Sequence, residues 1–315
     1  MRIVFLGTPD FGVPSLEALI REGHEVVAAF TQPDRPKGRG KKMESCPVKV
    51  CALAHDIPVY QPVKIRQESV EDLKALAPDL CVTAAFGQIL SQEILDIPRI
   101  GTVNVHSSLL PKYRGSSPIN WAVICGETIT GVTTMMTDKG MDTGDILLQK
   151  EVEILPGETA GELTDRLAVI GADLLIETIR QLEKGICPRV PQDHEKMSYY
   201  PMLKKEMGLV DWRMDAHDIV CRIRGLSPWP GTYTFVKGEM LKIWQGMEEE
   251  ATAGLPGDIL EADSKKGLLV KAGKNAVRVH ELQAQGGKRM KATDYLRGHP
   301  ITVNACDKNE EMRHE

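Results

Sequence analysis

The chain has 315 residues, 42% hydrophobic, 26% charged and 5% aromatic, with a formal net charge of −5. That length is enough for two separate cores, and the composition excludes wholesale disorder and a small stapled scaffold. No run approaches the ~20 apolar residues that cross a bilayer. The opening residues lack the basic flank, apolar segment and cleavage site of a secretory leader. Seven scattered cysteines contain no C-x-x-C pair and the eight histidines no metal spacing. A cytoplasmic chain with reduced thiols, no metal and no membrane partner is expected, and a monomer is sufficient. The charge is unevenly spread: residues 201–315 carry 18 basic against 17 acidic side chains, leaving 21 against 27 in residues 1–200.

Residues 2–7 are a continuous apolar run ended by Gly7, and Pro14 opens a helix with Leu16, Leu19 and Ile20 on one side. The rhythm continues with a strand at 25–31, a helix at 47–55, a short strand at 57–60, a helix at 67–76 and a strand at 80–86. Such a βαβ series predicts an α/β fold, a mostly parallel sheet with helices on both faces. Residues 7–12 lack G-x-G-x-x-G spacing and hold Pro9 in the turn, so a nicotinamide cofactor is not expected. A helix is predicted from Thr159 to about residue 184, with Thr159 and Glu162 as a capping box and Leu163, Leu167, Ile170 and Leu174 at helical spacing.

Pro188, Pro191 and the polar stretch 192–198 then mark a change of composition. The predicted organisation is a domain at 1–187, a linker at 188–203, a second domain at 204–306 and a frayed tail at 307–315. Five strand-like runs, at 231–236, 241–246, 257–261, 267–272 and 276–282, predict a small β-barrel in the second domain.

Within 101–106, Val103 and Val105 alternate with Asn104 and His106, so amide and imidazole leave the strand on one face. His106 falls where the strand ends, the position of ligand crevices in open parallel sheets. The loop that follows, Ser108, Leu109, Leu110, Pro111, Lys112, Tyr113, Arg114, Gly115, offers an apolar wall and a tight turn. Asp142 sits in a Gly-flanked loop before 146–148. If it meets Asn104 and His106 it orients the imidazole for proton transfer; a merely turn-forming Asp is the plainer alternative. No nucleophile elbow or cysteine context points to covalent catalysis. The stretch 32–43 carries Arg35, Lys37, Arg39, Lys41 and Lys42 against one Asp, among Gly and Pro, which suits either a phosphate backbone or a solvated loop.

Taken together, Asn104-x-His106, Ser108-Leu-Leu-Pro111 with Arg114-Gly115, and Asp142 within Met-Asp-Thr-Gly-Asp-Ile-Leu resemble the folate-dependent formyltransferases. The resemblance spans nearly all of residues 1–300. It implies a Rossmann-like amino-terminal domain, a linker and a small OB-like β-barrel domain, with Asn104, His106 and Asp142 as catalytic residues. By the same resemblance Ser108, Leu109, Leu110 and Pro111 line the site of 10-formyltetrahydrofolate, the formyl donor. The basic stretch and the run 223–230 are similar to those of the family members whose acceptor is initiator methionyl-tRNA. This implies tRNA contacts by Arg35, Lys37, Arg39, Lys41 and Lys42, and candidates Lys242, Lys271, Arg278, Lys288, Arg289 and Lys291 on a positive face of the barrel. Where family linkers carry a small residue and then Pro-Lys, this chain has Tyr200-Pro201-Met202, with Lys204 and Lys205 close behind. Family members acting on an amino sugar nucleotide, or hydrolysing the same folate, share the Asn, His and Asp but need no basic acceptor-arm loop. A tRNA-binding module without chemistry leaves those three residues unexplained.

Overall fold

The computed structural model describes residues 1–37 and 42–303. They form two compact units. One consists of Met1–Pro118, Ile129–Glu153 and Leu163–Tyr200; the other of Ile119–Thr128, Ile154–Glu162 and the described residues from Pro201 onward.

The first unit is built on a seven-stranded sheet, β1 (Arg2–Gly7), β2 (Glu25–Phe30), β3 (Val59–Tyr60), β4 (Leu80–Ala84), β5 (Gly101–His106), β6 (Ile129–Met136) and β7 (Ile146–Glu153). Their order is β7-β6-β5-β4-β1-β2-β3. Strands β1 to β5 pair in parallel, while β6 and β7 extend the sheet antiparallel. The mostly parallel α/β sheet is therefore present, with an antiparallel edge that the sequence pattern did not reveal. Ile3, Val4, Phe5 and Leu6 have no exposure at all, because a strand covered on both faces must be apolar at every position. On one face Val4, Leu6 and Phe30 pack with Ile65, Leu73 and Ile94. On another the helix Ala160–Glu183 approaches β5 and β6 at Gly171, where even a methyl group would lie 2.9 Å from Val105.

Local chemistry explains the helix ends. The Thr159–Glu162 capping box forms as predicted: Thr159 N donates to Glu162 Oε2 at 2.9 Å, and Glu162 N donates to Thr159 Oγ1 at 3.3 Å. Such a cap contributes about 1 kcal/mol. The helix predicted at 67–76 is instead two, Ile65–Glu68 and Val70–Leu76, broken at the buried Ser69 with φ −124°.

The second unit holds an antiparallel sheet of β8 (Thr232–Val236), β9 (Glu239–Glu249), β10 (Ile259–Asp263), β11 (Gly267–Lys271) and β12 (Ala276–Ala284), with β13 (Met290–Lys291) beside β12. The order is β8-β9-β12-β11-β10. All five predicted strand runs overlap observed strands; the two-residue β13 is additional. Lys237 and Gly238 join β8 to β9 with φ of 52° and 78°, the left-handed pair that a two-residue hairpin turn requires. Register shifts in β9 at Ile243/Gln245 and Gln245/Gly246 bend that long strand. The helices Ala216–Gly225 and Ala292–Gly298 cover the apolar side, where Ile219, Ile223, Leu241, Val279 and Leu296 share one core.

The expected linker, residues 188–203, divides. Up to Tyr200 it groups with the first unit, and from Pro201 with the second, so the change of unit at 200/201 falls inside the expected linker. The reason is hydrogen bonding. Val190 bridges Ile146, and Tyr199 and Tyr200 pair in parallel with Arg114 and Gly115. The predicted tail at 307–315 lies outside the described residues.

Candidate active site

The chain runs from β1 outward to β2 and β3, then crosses to β4 on the other side of β1. Ligand crevices form at the carboxyl ends of strands at such a reversal. Strand β5 lies next to β4, with Thr83 opposite Asn104. The Thr83 hydroxyl donates to Asn104 Oδ1 at 2.8 Å, which leaves the Asn104 amide to present its N–H donors.

Two strand positions on is His106, 6% exposed. Its Nε2 lies 3.1 Å from the Tyr113 carbonyl. A carbonyl only accepts, so Nε2 carries the hydrogen in this contact. Nδ1 is 3.6 Å from Asp142 Oδ1. The other Asp142 oxygen accepts from Gly115 N at 2.8 Å. His106 and Asp142 thus meet, with Asn104 two positions before His106 on the same strand, and Asp142 does more than form a turn. Its φ of +54° is unusual for a residue with a side chain, and the next glycine, Gly144, is irreplaceable on steric grounds because a Cβ there would stand 1.8 Å from the Met136 carbonyl oxygen.

The loop after His106 is held from two directions. From the sheet, Thr133 Oγ1 donates to Ser108 O at 2.6 Å and accepts from Leu110 N, and Gln149 Nε2 donates to Leu110 O at 2.9 Å. From the residues expected to be a linker, Tyr113 N donates to Ser198 Oγ, and Arg114 N to the Ser198 carbonyl, both at 2.9 Å. The buried Arg114 guanidinium donates to Gln192 Oε1 through Nε at 3.1 Å and Nη2 at 2.7 Å. Its Nη1 is 3.2 Å from His194 Nδ1. Gln192 Nε2 in turn donates to the carbonyls of Asp142 and Gly144 at 2.8 and 2.7 Å. Sequence reasoning missed Thr133, Gln149, Gln192 and Ser198, because each acts through contacts far apart in the chain.

Of the four residues assigned to a folate wall, Leu109 and Pro111 are partly exposed. Ser108 and Leu110 are buried, at 0% and 3%. The Ser108 hydroxyl is spent on the Lys112 carbonyl, 2.7 Å away, so it closes the loop and offers no donor outward. Burial also pushes the Cys81 thiol in β4 up to about 12, which keeps it protonated and inert at neutral pH.

The basic stretch begins as a two-stranded ribbon, Arg35–Lys37 against Lys42–Glu44, with Arg35 opposite Glu44 and Lys37 opposite Lys42. Arg39 and Lys41 lie outside the described residues. Arg35 is exposed and borders a cleft with Thr8, Gln32 and Gly87, at the ends of β1, β2 and β4. The one acidic residue of the stretch, Asp34, is bound to Lys49 at 2.6 Å and to Gln61 at 2.9 Å. These contacts hold its carboxyl below the usual range. Asp34 is thereby committed to an anchor and does not neutralise the loop cations.

In the second unit the candidate cations separate. Lys271 is 5% exposed and donates to the carbonyls of Ala272, Gly273 and Asn275. Arg278, 8% exposed, bonds Glu249 and Glu261 at 2.8 and 2.7 Å. Both tie the sheet together and present no charge to a phosphate, so they leave the list of tRNA candidates. Lys242 and Arg289 instead flank the Trp244 ring, 5.5 and 5.3 Å from its centroid, with Tyr233 opposite Lys242 on β8. Lys288, Arg289 and Lys291 are exposed. Lys204 and Lys205 are exposed as well. Among the described residues no group of three or more His, Cys, Asp or Glu could hold a metal ion, and no helix is long and apolar enough to cross a membrane.

Comparison with known proteins gives the family. The formyl transferase family profile matches residues 1–179, and that of the formyl transferase carboxyl-terminal domain matches residues 202–300. The chain belongs to the formyl transferase family. It is 51% identical over 304 residues to a protein of Acetivibrio thermocellus named methionyl-tRNA formyltransferase, covering 96% of this chain and 97% of that one. A similar relative from Geobacter sulfurreducens bears the same name, at 49% identity over 299 residues, 95% of this chain and 94% of its own. Among solved structures, an N-formyltransferase from Helicobacter canadensis, in complex with folinic acid and dTDP-3-aminofucose, shares the fold with a TM-score of 0.66. It is 18% identical and covers 88% of this chain and 98% of its own.

Proposed function

We propose that this chain transfers the formyl group of 10-formyltetrahydrofolate to the α-amine of initiator methionyl-tRNA in the cytoplasm, giving N-formylmethionyl-tRNA and tetrahydrofolate for translation initiation. One observation carries the reading: 51% identity across 96% of the chain to a protein named for that reaction, a span that includes both family segments. The relatives acting on sugars share only the fold at 18% identity, so an amino sugar nucleotide is the weaker reading of the acceptor.

The chemistry follows from the groups at the end of β5. The neutral amine attacks the formyl carbon, a tetrahedral oxyanion forms, the bond from carbon to N10 breaks, and the proton lost by the amine nitrogen passes to N10. Asn104, its Oδ1 already engaged by Thr83, donates to the oxyanion through Nδ2. His106 supplies a second donor, exchanging the Tyr113 carbonyl for the developing oxyanion. Asp142 orients the imidazole and relays the proton, directly or through water. Leu109 and Pro111 are the exposed part of the folate wall.

The first unit serves as the catalytic domain and the second as a tRNA-binding domain, and one chain is sufficient. Arg35, Lys37, Arg39, Lys41 and Lys42 contact the acceptor arm, and Lys242 and Arg289 around Trp244 offer cations with an aromatic surface, the combination that holds phosphates and stacks bases. The test is formyl transfer from 10-formyltetrahydrofolate to initiator methionyl-tRNA, run beside uncharged tRNA, an amino sugar nucleotide and a water-only control. Transfer to the charged tRNA alone is the expected result. Transfer to the sugar, or formate release without acceptor, would overturn the reading.

A further inference from the structure

Asp142 is held to the rest of the site by a residue that the reaction itself does not call for. The carboxylate points one oxygen at Gly115 N and the other at His106, but these contacts do not fix the backbone that carries it. That backbone is in the left-handed region at Asp142. Its carbonyl and that of Gly144 both accept from a single amide group, Gln192 Nε2, at 2.8 and 2.7 Å. Gln192 Oε1 accepts two hydrogens of the buried Arg114 guanidinium. Arg114 precedes Gly115, the residue whose N–H orients the Asp142 carboxylate. One side chain, 6% exposed, therefore joins the two loops whose relative position sets the distance between Asp142 and His106.

We propose that Gln192 is a positioning residue for formyl transfer, its amide locking the Asp142 loop to the Arg114 loop so that the carboxylate is held against the imidazole. The inference rests on the reading of Asp142 as a catalytic group. An amide suits the task because it alone among uncharged side chains of this length both accepts and donates twice. Its loss leaves two backbone carbonyls short of a donor and a buried guanidinium short of an acceptor. A freed Arg114 then has the Asp142 carboxylate within the same pair of loops as its natural counter-charge, and any such pairing draws the carboxylate away from His106. A displacement of about 1 Å in such a group is enough to lower turnover ~10²-fold.

The two ends of the amide are separable. Gln192→Glu keeps an acceptor for Arg114 but removes both donations to the Asp142 loop, while Gln192→Met removes both ends at similar volume. Steady-state formyl transfer is measured for each beside wild type and Asp142→Ala, with kcat, KM for both substrates, the pH profile of kcat and the thermal midpoint. The expectation is a fall in kcat of about tenfold or more in both Gln192 variants, with each KM moving less than about threefold, and a pH profile of Gln192→Glu that differs in shape from wild type. A merely structural role would lower the thermal midpoint and leave the profile unchanged. Folded Gln192→Glu with wild-type kcat and profile, alongside an inactive Asp142→Ala, overturns the inference alone. Full turnover in Asp142→Ala overturns the reading of the site, and the inference with it.

Discussion

The end of β5 and the outer face of β9 use polar side chains in opposite ways. Around His106 the groups are buried or half-buried and each is fixed by a neighbour: Asn104 by Thr83, the ring by the Tyr113 carbonyl, Asp142 by Gly115. Around Trp244 the cations are on long, partly or fully exposed stems, held by a ring face and, for Arg289, by Glu281. A reaction centre needs donors placed to within a fraction of an ångström, because the transition state has one geometry. A polyanion needs charge that can adapt along a backbone. The second unit also keeps two further cations, Lys271 and Arg278, for internal use, so cation count there overstates the charge available to a partner.

That contrast can be broken most sharply by removing the fixed groups. Asn104→Ala, His106→Ala and Asp142→Ala are each expected to lower kcat by ~10²-fold or more at saturating substrates, while the salt dependence of tRNA binding stays that of wild type. A variant with near wild-type turnover would remove that residue from the mechanism. A smaller effect, and the reverse pattern, is expected from Lys242→Ala combined with Arg289→Ala. Binding of tRNA should weaken by about tenfold and its salt slope should become shallower by about one per lost phosphate contact, with kcat at saturation intact. An unchanged slope would take this face out of the tRNA interface.

The smallest effect concerns Arg278. Its hydrogen bonds hold the Glu249 and Glu261 carboxyls below their ordinary range. Since the folded-state values are depressed, the stabilisation is complete above the usual carboxylate pKa of about 4.3 and is lost as pH falls below it. Acid unfolding of wild type should therefore be steeper in this range than that of Arg278→Met. Equal pH dependence of the two thermal midpoints would show that the pairs contribute nothing, as partly exposed ion pairs can.

Much of this molecule was legible along the chain. Continuous apolar runs mark the parallel strands, Thr159 and Glu162 mark the start of the long helix, and the residue pattern alone singles out His106 and Asp142, which the fold brings to 3.6 Å. What escaped was long-range or two-sided. Strand β6 contains Thr130, Thr133 and Thr134 fully buried or nearly so, which masks its apolar pattern; Thr133 is polar because it holds the loop after His106. Arg278 sits between Val277 and Val279 in a strand where all three are buried, and only its two glutamate partners, 29 and 17 positions away, account for that. The stretch 188–200 has the Pro-rich, polar composition of a connector, yet its side chains reach back across 78 residues to Arg114. Composition reports how a segment pays its own conformational entropy, and says nothing of the partner it finds.

The brace at Gln192 and Ser198 also sets a sequence in time. Chains emerge from the ribosome amino terminus first and domains fold as they appear. The sheet, His106 and Asp142 are all synthesised before the residues that lock them together. A nascent chain, or a fragment cut at residue 187, therefore holds His106 and Asp142 without the Gln192 amide that joins their loops. The brace is complete only when the polypeptide has passed Tyr200, the point at which the second unit resumes.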